Sequence, residues 1–148
     1  MSSDRWRDVS DHYLKLGYAP ADGPPRALPR ERMAERLRFL QEELAELGDA
    51  TAVGDLADQV DALVDLVVVA LGTAAQMRVP WAACWDEVLR ANLAKVPGVG
   101  KRGMALDLVK PPGWTPPDHQ AILRRHGYDD EVGPPAPPPP RPPQGGGI

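Results

Sequence analysis

Residues 39–77 read FLQEELAELGDATAVGDLADQVDALVDLVVVALGTAAQM, and this stretch decides the fold. It continues a helical pattern that begins near Arg30. Met33, Leu37, Leu40, Leu44 and Leu47 recur at steps of four and three, which sets them on one stripe of an α-helix. A helix is expected over 30–47, ended by Gly48. A second is expected over 55–77, with Asp55 as its N-cap. There Val60, Leu63, Val64, Leu66, Val67, Val69, Ala70 and Leu71 leave only a narrow polar stripe, so the helix should be buried. The stretch holds eight acids (Glu42, Glu43, Glu46, Asp49, Asp55, Asp58, Asp61 and Asp65) and no Lys, Arg or His.

Working outward, Trp6, Val9, Tyr13 and Leu16 predict a helix over 4–16, ended by Gly17. A Pro- and Gly-rich loop follows over 20–29. Downstream, Pro80 suits a first helical turn, and a helix is expected to about Lys95, broken by Pro97-Gly98. The chain then reads as loop to Pro117, with a short helix over 118–125 closed by Gly127. Eight of the 18 prolines fall in 133–148, so that end is expected to be a disordered or polyproline tail. The expected division is a helical domain over 1–128, with its core over 30–96, and a tail over 129–148. Two long helices cannot enclose the Leu stripe and the Val face alone. The expected fold is therefore all-α, a four-helix-bundle-type core completed in a homodimer or homotetramer, with an irregular C-terminal extension.

The bulk properties agree. With 148 residues and 43% hydrophobic content the chain can build one core, and an aromatic content of 5% leaves Leu, Val and Ala to fill it. A net charge of −4 argues against nucleic acid as a partner. The longest uncharged apolar run, 66–77, is too short to span a bilayer, which needs about 20 residues. Cys84 is the single cysteine and no apolar leader is seen, so a reducing, cytoplasmic location is expected.

The acids carry the functional argument. At about 100° per residue, Glu43 and Glu46 share a stripe with Arg32, Arg36 and Phe39 at the edge of the Leu stripe. Glu42 points elsewhere, with Glu31, Glu35 and Arg38, as an ordinary solvated face. Asp58, Asp61 and Asp65 share one face of the next helix. Carboxylates crowded at a core edge repel one another and raise each other's pKa. A divalent cation relieves both burial and repulsion, and an all-oxygen ligand set favours Mg²⁺, with Mn²⁺ possible. The competing reading makes the Asp face simply the wet side of an amphipathic helix.

At these residues the sequence resembles the MazG-like all-α nucleotide pyrophosphohydrolases, a group similar to the dimeric dUTPases and phosphoribosyl-ATP pyrophosphohydrolase. The Glu-Glu-x-x-Glu half of their pattern is present as Glu42-Glu43-Leu44-Ala45-Glu46. The Glu-x-x-Asp half departs, since Asp61-Ala62-Leu63-Val64-Asp65 has Asp for Glu and a wider spacing. Asp58-x-x-Asp61 is the rival match. Asn92-Leu93-Ala94-Lys95 resembles an Asn-x-x-Lys element of the group, and residues 110–118 resemble its C-terminal element. The resemblance implies Mg²⁺-dependent hydrolysis of a nucleoside triphosphate to the monophosphate and pyrophosphate. It implies Glu43, Glu46, Asp61 and Asp65 as metal-binding and catalytic residues, with Asp58 as a further candidate. It also implies Asn92, Lys95 and Arg36 as substrate-binding residues. Phosphoribosyl-ATP and dUTP are alternative substrates, and a helical interaction module with an acidic binding face is the non-enzymatic alternative. Trp81 and Trp85 read as core or subunit contacts, His12, His119 and His126 as incidental, and Cys84 as a small buried residue.

Overall fold

The computed structural model describes residues 3–15, 23–99 and 107–133. In chain order these form α1 (Ser3–Lys15), α2 (Arg30–Val53), α3 (Leu56–Gln76), α4 (Trp81–Leu93), β1 (Val96–Gly98), β2 (Asp107–Val109) and α5 (His119–Arg125). The fold is all-α apart from that small hairpin. None of the described helices is long and apolar enough to cross a membrane.

The scaffold is the antiparallel pair α2 and α3, with α1 laid against α3. Gly48 does not end α2, as its type suggested. It sits inside the helix with open space where a Cβ would be, and an interior Gly costs only about 1 kcal/mol against Ala. The helix ends instead at Gly54, whose φ of +75° forms the left-handed cap, its N–H bonded to the carbonyls of Ala50 and Thr51. Asp55 then starts α3 as expected, its carboxylate accepting from the N–H groups of Ala57 at 2.9 Å and Asp58 at 3.1 Å.

Val9 and Tyr13 of α1 and Leu71 of α3 form a buried cluster, flanked by Trp6, Val68 and Trp81. The rings of Trp6 and Trp81 stack 5.7 Å apart. The expectation that α3 would be buried is not met within one chain. Val60, Leu63, Val64 and Val67 are each more than half exposed, as are Leu37 and Leu44 of α2. α2 packs mainly on α3, and α3 on α2 and, toward its C-terminal end, α1, so their other apolar sides face outward.

Beyond α4 the described residues are more ordered than their composition suggested. Val96 pairs with Val109 and Gly98 with Asp107 in an antiparallel hairpin, where a loop was expected. A Cβ on Gly98 would lie 2.7 Å from the Val109 side chain, so glycine permits the approach. Trp114 donates its indole N–H to the Ala91 carbonyl at 2.7 Å, and Lys110 lies over its ring. Glu87 of α4 accepts from Arg90 and from the Asp118 N–H. Asp118 in turn caps α5. Just past the expected boundary at 128, Asp130 accepts from Arg124 and Gln120 of α5. The rest of the expected tail, 134–148, lies outside the described residues, as do Gly17 and the start of the 20–29 loop.

Candidate active site

Glu43 is the centre of the site. It sits on the part of α2 that faces α3, half-buried, with Oε2 fully enclosed and without a hydrogen-bond partner. Burial pushes its carboxyl pKa up, and the charges of Glu46, Asp65, Asp61 and Glu42 push it further in the same direction. The charges of Glu46, Asp61 and Asp65 thus all act on this one half-buried carboxyl group. Asp65 is half-buried and Glu46 and Asp61 are exposed, so the cluster opens to solvent on one side. Asp58 is exposed and is not among the charges acting on Glu43. Glu42 turns away to pair with Arg38 at 3.5 Å. As the side chains stand, no group of three or more His, Cys, Asp or Glu among the described residues is arranged to hold a metal ion.

An all-carboxylate donor set with one enclosed, unpartnered oxygen fits a hard divalent cation in charge and ligand type. Glu43, Glu46, Asp61 and Asp65 are the residues that could hold it. No basic side chain is found among the influences on Glu43.

Arg36 does not face this cluster in the way the sequence suggested. It is 3% exposed. Its guanidinium donates to Thr73 Oγ1 at 3.0 Å, to the Val69 carbonyl at 2.9 Å and to the Tyr13 hydroxyl. It also packs against the rings of Tyr13 and Phe39. Arg36 therefore ties α1, α2 and α3 together from inside through its Nε and Nη2. Arg32 similarly reaches across to Gln76 at 2.9 Å. Asn92 and Lys95 stand at the end of α4, where the Lys95 ammonium donates to the Asn92 side-chain oxygen at 2.8 Å. Neither is bonded to an acid of α2 or α3.

A family model described as phosphoribosyl-ATP pyrophosphohydrolase matches residues 17–92, just over half of the chain. The chain belongs to that family. A comparison with curated proteins gave no match. The matched span takes in α2, α3 and nearly all of α4, and so Glu43, Glu46, Asp61, Asp65 and Asn92. Lys95, the hairpin and α5 lie beyond it. Membership assigns the chain to pyrophosphohydrolases that act on nucleotide substrates.

Enclosure of Glu43 Oε2 was not visible in the sequence. The pattern placed Glu43 and Glu46 on one stripe, but only the packing of α3 separates the enclosed acid from the exposed one.

Proposed function

We propose that this member of the phosphoribosyl-ATP pyrophosphohydrolase family hydrolyses a nucleoside triphosphate to the monophosphate and pyrophosphate, with Mg²⁺ as its cofactor. The observation that carries the reading is the enclosed, unpaired Glu43 oxygen, in a carboxyl group on which the charges of Glu46, Asp65 and Asp61 act. Mn²⁺ suits the same donors. When bound, the cation would neutralise phosphate charge and lower the pKa of a water molecule. The four carboxylates would hold and orient that site, and one of them would accept the proton of the attacking water. Asn92 and Lys95 would contact the nucleotide through an amide and an ammonium. Since neither reaches the acids within one chain, that role needs a second copy to bring an α4 end to the α2–α3 face. The exposed apolar side chains of α2 and α3 support such a homodimer or homotetramer.

The test is a panel of nucleoside triphosphates, dUTP and phosphoribosyl-ATP, each with Mg²⁺, assayed for pyrophosphate. Turnover that disappears in EDTA and in Glu46→Gln supports the proposal. Near-normal turnover in Glu46→Gln removes the assignment. A second reading, an acidic face for a basic partner, draws on the exposure of Glu46, Asp58 and Asp61. It predicts no turnover on any member of the panel and no stabilisation by millimolar Mg²⁺.

A further inference from the structure

α4 buries Cys84 and Ala91 on one side. On another it carries Trp81, Trp85, Leu89 and Leu93 at steps of four, which sets them in one stripe. Trp85 is 38%, Leu89 44% and Leu93 76% exposed, so the stripe stands open among the described residues. Its first part is aromatic. The Trp81 ring stacks on Trp6 of α1 at 5.7 Å and is tilted by 36° against the Trp85 ring at 6.1 Å. Three indoles in a row, the last of them open, form a ridged aromatic surface. Proline rings pack on such surfaces, because their C–H edges meet the electron-rich face of the ring. A polyproline helix also loses little freedom on docking, since its backbone is already fixed.

The chain brings such a ligand to this place itself. Residues 134–143 read Pro-Pro-Ala-Pro-Pro-Pro-Pro-Arg-Pro-Pro. α5 starts beside the second half of α4, where the Asp118 N–H donates to Glu87 and the Pro116 carbonyl accepts from Arg90. It ends near the beginning of that helix. There Gly127 lies against Pro24, with 3.4 Å between an added Cβ and the Pro24 side chain. Two residues on from Pro24, the Arg26 N–H donates to the carbonyl of Met77, four residues before Trp81. The chain after α5 therefore sets out from the Trp81 end of the stripe. Its length fits as well. Ten residues in polyproline form reach about 31 Å, and the rise from Trp81 to Leu93 is about 18 Å. The segment is long enough to cross to the stripe and lie along it. Asp86, three residues before Leu89, flanks the stripe. It is exposed and in no ion pair among the described residues, and so offers a partner to Arg141.

We propose that residues 134–143 dock as a polyproline strap along the Trp81, Trp85, Leu89 and Leu93 stripe of α4 in the same chain. The stripe is separate from the acids of α2 and α3, and the strap stands whether or not those acids bind metal.

The experiment records the indole N–H signals of the isotope-labelled full chain by two-dimensional NMR, with Trp85→Phe to assign the Trp85 signal. Wild type is compared with a variant of equal length that carries Pro137→Gly, Pro138→Gly, Pro139→Gly and Pro140→Gly together. These changes remove the proline rings and free the backbone, and circular dichroism checks that the helices are kept. The Trp85 signal should move by more than its line width. The Trp114 signal should stay, because that N–H is held by the Ala91 carbonyl away from the stripe. Arg141→Glu, set against Asp86, should move the Trp85 signal the same way by less. A Trp85 signal that stays in place in the folded four-glycine variant overturns the proposal, and leaves the stripe to a second copy or another partner. Unlabelled wild type is then mixed with the labelled variant. Return of the variant's Trp85 signal to the wild-type position would mean that the strap reaches a neighbouring copy, and overturns docking within one chain.

Discussion

Replacing Glu43 by Gln tests the acid cluster through stability as well as turnover. In metal-free protein the ionised Glu43 combines an enclosed, unpaired oxygen with the charges of Glu46, Asp65, Asp61 and Glu42. Its folded pKa is raised above the unfolded value, so the folded state binds this proton more tightly than the unfolded chain does. Stability from this group is therefore greatest at low pH, and it falls as pH rises from the ordinary carboxyl value through the raised one. At neutral pH the ionised group destabilises the metal-free fold. Gln keeps the shape, removes the charge and can donate to a neighbouring carboxylate. In EDTA at pH 7 the variant should be more stable than wild type by about 1 kcal/mol, the usual scale of single-site effects. In a chain of this length that is a rise of about 3 °C in Tm.

Added Mg²⁺ should reverse the order. Wild type should gain roughly 2.7 kcal/mol when the metal stands a hundredfold above its Kd, while the variant, lacking one ligand, loses most of that gain. Thermal unfolding followed by circular dichroism, with and without Mg²⁺ and at several pH values in EDTA, reads all of this. A variant clearly less stable than wild type in EDTA would show that Glu43 has a native hydrogen-bonding partner. If Mg²⁺ stabilised both proteins equally, Glu43 would not be a ligand.

Two predictions concern the scaffold and one the assembly. A Cβ at Gly72 would lie 2.0 Å from the Tyr13 ring. Gly72→Ala should therefore lose about 1–3 kcal/mol in urea unfolding through overpacking, despite the better helix propensity of Ala; an unchanged midpoint would mean that α1 is not seated on α3. Glu87 is held at about 2, below its ordinary 4.5, first by the Arg90 side chain and then by the Asp118 N–H. Because its folded pKa is depressed, the docking of the 110–118 segment on α4 is fully supported above the ordinary value. That support is lost as pH falls from 4.5 toward 2. Trp114 fluorescence should follow the loss, and Glu87→Gln should flatten the profile. Leu63→Glu, on the exposed side of α3, should lower the mass seen by sedimentation; an unchanged mass would take that face out of the interface.

The helical stretches were legible because their periodicities are long and consistent. Asp55 was legible as a cap because it directly precedes an apolar helical run. Gly48 misled because glycine carries two meanings, a tolerated interior residue and a left-handed cap, and only the turn into α3 shows that Gly54 takes the cap. The short hairpin was hidden for a similar reason. Three residues per strand give no usable alternation, and Val96-Pro97-Gly98 reads as a break. The acids on α2 and α3 could be grouped by face from sequence. Which of them is enclosed could not, because that depends on the rotation of one helix against the other. The contacts of Arg36 were hidden for the same reason, since its acceptors on α3 and α1 are distant in sequence.

Those acceptors explain how the cluster is positioned. Along the antiparallel pair, Arg32 meets Gln76, Arg36 meets Thr73 and Val69, and further on Glu43 meets the charges of Asp65 and Asp61. Each step forward on α2 is matched by a step back on α3, so these contacts are rungs of one register. Arg36 and Glu43 are seven residues apart, nearly two full turns, and so share a face of α2 about 10 Å apart along the axis. The carboxylates repel one another and cannot set that register themselves. Arg36 can, because its planar fork bonds a hydroxyl and a carbonyl on α3 while Tyr13 holds it from α1. A slip of one turn would break these bonds at one end and move Asp61 and Asp65 about 5 Å past Glu43 at the other. The buried arginine thus acts on the acid cluster as a positioning residue, holding together at one end of the helix pair what the carboxylates push apart at the other.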